Sequence, residues 1–163
     1  MQPRTMMRMM TLITGAMLMA GCAMYVNIPP QPGDAAWHDP NHFTVENVMR
    51  EAMARTLTDH PPEGPFTIDW PAGTTDTTID EIIADYPQRI ASQYVRKTNM
   101  DIPRYAFRHI WIRSGKAYVD IQRPALTRTQ QLVTVYLSDQ PFTGWHVTRT
   151  RAWQVPQGQT YQP

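Results

Sequence analysis

The hydrophobic positions of this chain change period partway along, and the change divides it into a helical part and a strand part. Val45, Val48, Met49, Ala52 and Thr56 recur at helical spacing with Leu57 beside them, which predicts a helix with one buried face. Thr44 is the expected N-cap and Asn47 falls at N3. Phe43 at N′ is placed to pack on Val48 as a hydrophobic staple. Pro61-Pro62 closes this segment. Phe66, Ile68 and Trp70 then alternate with Thr67 and Asp69, so 66–70 reads as a strand. After the turn residues Pro71-Ala72-Gly73, a second helix is expected from about Asp76 to Tyr86, burying Ile79, Ile82, Ile83 and Tyr86 and stopping before Pro87. Residues 87–104 admit either a helical extension or a cover for the sheet edge.

From Tyr105 onward the period is two. Residues 105–113 and 116–123 flank Ser114-Gly115, a two-residue hairpin signal. Residues 131–137 and 145–153 supply two more strands, joined by a loop containing Pro141 and Gly144. The order predicts an α+β domain with two helices packed on an antiparallel sheet that ends in a four-stranded meander. This arrangement faintly resembles the cystatin-like and NTF2-like folds, an analogy of topology alone. The tail 154–163, rich in Gln, Pro and Gly, is expected to be mobile.

The N-terminal part follows neither period. Arg4 and Arg8 precede an apolar run from Met9 to Ala20, interrupted only by Thr11, Thr14 and Gly15. That is the layout of a secretory signal, and the run is well short of the ~20 residues a spanning helix needs. It ends in Leu18-Met19-Ala20-Gly21-Cys22, which carries the chain's one cysteine. This stretch resembles a bacterial lipobox, departing from the usual pattern at Met19, where leucine is common. An uncleaved anchor helix and a secreted chain cut near Gly21 are the alternatives. A lone cysteine in an exported chain has no disulfide partner within it, and thioether lipidation gives it a role.

The resemblance implies cleavage before Cys22, diacylglycerol on its sulfur and commonly a third acyl chain on the new amino group. Two or three such chains give stable membrane attachment. With no Asp directly after the cysteine, the resemblance favours the periplasmic face of the outer membrane over the inner membrane. Residues 1–21 are then a signal peptide, 22–41 a lipidated and Pro-rich tether, 42–153 one globular domain and 154–163 a tail. Pro29-Pro30, Pro32-Gly33 and Pro40 favour extended conformations for the tether. A chain beginning near Asp34 would in that case fold unaided. His38 and His42 are four apart, but Pro40 between them argues against the helix that a metal site at this spacing requires.

Charge alters this picture in one respect. Residues 23–96 hold 11 acids against 4 bases, and residues 97–153 hold 9 bases against 3 acids. The helices are therefore acidic and the sheet basic, either as one dipolar domain or as a surface for an anionic partner. Nucleic acid is an unexpected partner for an exported, lipid-anchored chain. The expected partners are the membrane, through the anchor, and an envelope protein or anionic envelope component.

The hairpin offers one candidate site. With Ser114-Gly115 as the loop, Ile112 opposes Ala117 and Ile110 opposes Val119 on an apolar face. On the other face Trp111 opposes Tyr118, His109 opposes Asp120 and Phe107 opposes Gln122. A His–Asp pair among aromatics can bind a ligand or move a proton, and a carboxylate is expected to raise the imidazole pKa. The same pair also serves as an ordinary cross-strand contact worth ~0.2–1 kcal/mol. No serine-hydrolase, nucleotide-loop, zinc-protease or dinucleotide motif is present, so no catalytic residue, cofactor or metal ligand is assigned. The reading is a non-enzymatic envelope lipoprotein that binds or assembles. Its alternative is an NTF2-like small-ligand binder or enzyme using His109 and Asp120, with Trp111 and Tyr118 beside them.

Overall fold

A computed structural model describes residues 24–96, 101–124 and 130–153. The expected signal segment, Cys22 and the tail 154–163 lie outside the described residues. The elements in chain order are β1 (Tyr25–Ile28), α1 (Phe43–Asp59), β2 (Thr67–Asp69), α2 (Asp76–Ala84), α3 (Gln88–Ala91), β3 (Arg104–Arg113), β4 (Lys116–Pro124), β5 (Gln130–Gln140) and β6 (Gly144–Trp153). The fold is α+β. Its six strands run in the order β1-β3-β4-β5-β6, with β2 also paired to β3. The pairings are antiparallel except β2 with β3, which is parallel.

The four-stranded meander forms as the period-two pattern predicts. Its first turn has Ser114 at φ 52° and Gly115 at φ 70°. Both central residues thus take the left-handed conformation that lets a two-residue loop follow the twist of its strands. Alternation directs Ile110, Ile112, Val119, Ile121, Val135 and Leu137 into the core. Helix α1 lies across β4, β5 and β6 and buries Val45, Val48, Met49, Ala52, Met53, Thr56 and Leu57 against them. Each of the fully buried Val, Met and Leu side chains contributes about 1.5–3 kcal/mol. Helix α2 adds Ile79 and Ile82, and Tyr86 is buried just beyond its end.

Four expectations are corrected by the structure. The N-cap of α1 is His42, whose Nδ1 accepts from the Thr44 amide at 3.3 Å. Thr44 lies inside the helix, and Phe43 is exposed rather than stapled onto buried Val48. Residues 87–104 hold the short α3, after which Tyr94 bridges to Phe66 and extends cover along the β2 side of the sheet.

The hairpin register holds from Arg113–Lys116 to His109–Asp120 and then slips. Phe107 pairs with Ile121 and Ala106 with Gln122, leaving Arg108 as the extra residue of a bulge. Phe107 therefore turns toward the core, not toward the His109 face.

The largest correction concerns the tether. Residues 25–28 form β1, paired with Ile110–Arg113 of β3. Val26 is wholly buried and Ile28 nearly so. The Pro-rich stretch then folds back along β1. The Trp37 amide donates to the Tyr25 carbonyl at 2.8 Å and the Asn27 amide to the Trp37 carbonyl at 3.2 Å. Asn41 Oδ1 accepts from the Thr75 amide at the start of α2, and its Nδ2 donates to the Gly73 carbonyl. Proline content excluded a helix here, but β1 lies before the prolines, and its short alternation Tyr25-Val26-Asn27-Ile28 is that of a strand.

Removing residues 1–33 should therefore damage the domain. Relative to a chain lacking only residues 1–21, it forfeits Val26 and Ile28 and leaves part of the β3 edge unpaired. The expected loss is about 3–6 kcal/mol, or roughly 10 °C or more in Tm. Equal thermal melts for the two chains would show that β1 is not integral to the fold.

Candidate functional site: the open face and the β3 edge

β1 pairs with the C-terminal half of β3 and β2 with its N-terminal half, so between Ala106 and Ile110 the β3 edge has neither partner. The bulge falls in that gap. A half-open cleft of ≈ 260 Å³ lies there, lined among others by Ile28, Trp70, Pro71, Phe107 and His109. Trp70 packs on Phe107 with ring centroids 5.4 Å apart, and its indole N–H donates to the Tyr94 hydroxyl at 3.0 Å. Most of the wall is apolar, and His109 stands at its boundary with the open face of the sheet.

The structure brings His109, Asp120, Trp111 and Tyr118 together on that face, as the register requires. It also gives His109 a partner that hairpin reasoning could not reach. The Asn27 side chain donates from Nδ2 to the Asp34 carboxylate, so its Oδ1 is turned toward His109 and lies 2.6 Å from Nε2. Nε2 must therefore carry the proton. His38 donates from Nδ1 to the Asn27 carbonyl at 2.7 Å. Asp34, Asn27 and His38 all belong to β1 or the fold-back after it, so His109 ties that segment to the sheet. On the other side of the row, Thr134 donates to Asp120 Oδ1 at 2.5 Å, and the Trp153 indole donates to Thr134 Oγ1 at 2.9 Å.

Beside this polar row runs an aromatic one. Trp111 stacks on Tyr118 at 4.9 Å and 12°, and Tyr25 meets Trp111 edge-on at 6.4 Å. Tyr118 pairs with Tyr136, and Tyr136 with Arg149. The Arg149 guanidinium lies over the Tyr136 ring at 4.2 Å, and Arg151 covers Trp153 at 3.6 Å. A guanidinium stacked in this way gains cation–π attraction and keeps N–H donors at its rim for a carboxylate or phosphate. The alternation in β6 carried a signal for these residues, since Arg149, Arg151 and Trp153 recur at spacing two.

The electrostatics of His109 reverse the expected direction. Burial lowers its pKa, and the nearby Asp120 carboxylate opposes this without overcoming it. The half-buried ring is thus held neutral, which suits a donor fixed on Asn27 better than a group poised to exchange protons. His60 is also lowered, by partial burial and by Arg123. His38 and His42 are engaged in the fold-back and the α1 cap respectively.

No known protein family, curated protein or solved structure matches the chain. Among the described residues no helix is long and apolar enough to cross a membrane.

The sign of the His109 shift fixes a pH dependence. A native pKa below the ordinary 6.5 means that the unfolded chain binds the proton first. The contribution of neutral His109 is therefore complete above about pH 6.5 and is lost as pH falls through and below that value. His60 acts in the same direction. Melting between pH 8 and pH 5 should show Tm falling below about 6.5, with a shallower fall in His109→Gln. Parallel pH profiles for variant and parent would refute this assignment.

Proposed function

We propose that this chain is a non-enzymatic lipoprotein of the bacterial cell envelope, anchored through Cys22, that binds an anionic envelope component on the open face of its sheet. The observation that carries the binding half is the row of Trp111, Tyr118 and Tyr136 bordered by Arg149 and Arg151. Flat rings and outward-facing guanidinium donors suit a polymer bearing carboxylate or phosphate groups. The charge division supports it, because the bases concentrate in the sheet region and the acids in the helical region. The lipobox-like Leu18–Cys22 supports the anchor, and with it an extracytoplasmic domain, favouring the periplasmic face of the outer membrane.

A helix packed across an antiparallel meander is in keeping with a cystatin-like arrangement. The space between α1 and the sheet is filled by Met49, Met53, Leu57 and their neighbours, which leaves the open face and the edge cleft as the places for a ligand. The alternative reading, an NTF2-like small-ligand binder or enzyme, draws on the His109 cleft. His109's neutral state and its engagement with Asn27 weigh against acid–base work there.

Two experiments test the pair of claims. Wild-type chain produced in a double-membrane bacterium should fractionate with membranes and carry acyl chains on Cys22 by mass spectrometry, while Cys22→Ser should not. Soluble native protein with an unmodified Cys22 would end the anchor reading. On an immobilised anionic polysaccharide, Arg149→Glu/Arg151→Glu should elute at clearly lower salt than the parent. Its melt should stay within about 1 kcal/mol of the parent, since both side chains are exposed. Unchanged elution would remove the open face as the anionic site. Loss of a bound small ligand in folded His109→Ala would favour the alternative.

A further inference from the structure

Tyr25, the first residue of β1, is only the third residue after Cys22. Three residues span at most about 10 Å, whereas β3 alone is about 33 Å long at strand rise. A lipid on Cys22 therefore holds one chosen end of the sheet at the bilayer. The register identifies that end. Tyr25 pairs with Arg113, Arg113 with Lys116, and Lys116 with Ser138. The β3–β4 turn and the β5–β6 turn both lie there, joined by the Asp139 amide donating to the Gly115 carbonyl at 2.8 Å.

That end carries an apolar side chain with no structural task. Phe142, in the β5–β6 turn, is fully exposed and sits at φ 71°, a backbone conformation uncommon for a bulky residue. Trp37, exposed over more than half its surface, stands beside Tyr25, to which its backbone is paired. Arg113 and Lys116 are exposed at the same rim, with Asp139 as the opposing charge. Aromatic rings at headgroup depth flanked by cationic side chains are the composition of a membrane-interface contact.

We infer that this end of the sheet docks on the phospholipid surface, with Phe142 inserted at the interface and Arg113 and Lys116 over lipid phosphates. The inference rests on the Cys22 anchor proposed above. It holds the sheet upright, with the far end near Tyr105 and His60 away from the bilayer and the open face accessible from the side.

The test uses full-length, lipid-modified protein reconstituted in phosphatidylethanolamine–phosphatidylglycerol vesicles. An environment-sensitive dye is placed on Phe142→Cys, on Glu63→Cys in the loop beyond His60, or on Arg149→Cys on the open face. The expected result is a blue-shifted dye at 142, quenched several-fold by lipids carrying a shallow nitroxide, with the dyes at 63 and 149 unquenched. Arg113→Glu/Lys116→Glu should reduce the quenching at 142. Equal exposure of the three dyes on protein whose Cys22 bears its lipid would overturn the docking while leaving the anchor intact. Quenching at 149 instead of 142 would show that the sheet lies flat and would likewise overturn it. A blue shift at 142 without lipid quenching would mean that protein, such as a second copy, covers the turn, and would overturn the lipid docking. An unmodified Cys22 would overturn anchor and docking together.

Discussion

The sheet depends on how β3 divides its outer edge. β2 approaches parallel and claims Arg104 to Ala106, while β1 approaches antiparallel and claims Ile110 to Arg113. Two strands arriving from opposite directions cannot meet end to end without a gap, and the bulge at Arg108 occupies it. The extra residue shifts the alternation by one, so Tyr105 and Phe107 face the core before the slip and Ile110 and Ile112 face it afterward. Without the slip, one half of β3 would point its apolar set to solvent. The bulge falls at the cleft and turns Phe107 toward the core, while His109 and the seat for β1 keep the register counted from the Ser114-Gly115 turn.

The two faces of the sheet then separate by chemistry. The inner face is closed by α1 with aliphatic and methionine side chains, and burial there supplies most of the favourable free energy. The outer face is built from side chains that occupy one another: indole on phenol, guanidinium on ring, and two hydrogen-bonded groups, Asp34–Asn27–His109 and Asp120–Thr134–Trp153. Such contacts hold aromatic surface half-buried without a covering layer. The face stays ordered and presents its polar rims outward. Arg149 and Arg151 are placed by packing on Tyr136 and Trp153, so for the proposed anionic ligand their donors would already be oriented, lowering the entropic cost of binding.

The sequence made the meander legible because its signals are local: period-two alternation and a Ser-Gly turn fix neighbours a few residues apart. The His109–Asp120 and Trp111–Tyr118 pairs follow from counting outward from that turn. Phe107 escaped because a bulge has no requirement that shows in the residue types around Arg108. β1 escaped for a different reason. Its partner lies some eighty positions away, and four residues give too short an alternation to register beside the prolines that follow. Asn27's bond to His109 is invisible without that pairing, which is why burial, absent from the hairpin argument, governs the His109 pKa. The His42 cap escaped because an imidazole nitrogen is an uncommon cap acceptor beside a threonine that fits the usual rule.

Because β1 begins three residues after Cys22, the proposed anchor would act differently from one on a flexible tether. A tether of extended prolines would have let the domain sample many orientations some tens of ångströms from the bilayer. With the prolines folded back instead along β1 and pinned by Asn41 and the Trp37 backbone, acyl chains on Cys22, as proposed, would leave almost no slack before the sheet. Under the proposed anchor, orientation would be set by geometry, and even weak contacts from Phe142 or Lys116 would act at high effective concentration because the lipid would already localise them. In the proposed upright docking the aromatic and arginine row would run parallel to the membrane plane, where the proposed anionic polymer would meet it. On the proposed anchor and binding face, the fold-back that His109 secures would belong to the recognition geometry, since loosening β1 would lengthen the leash and release the face from its fixed direction.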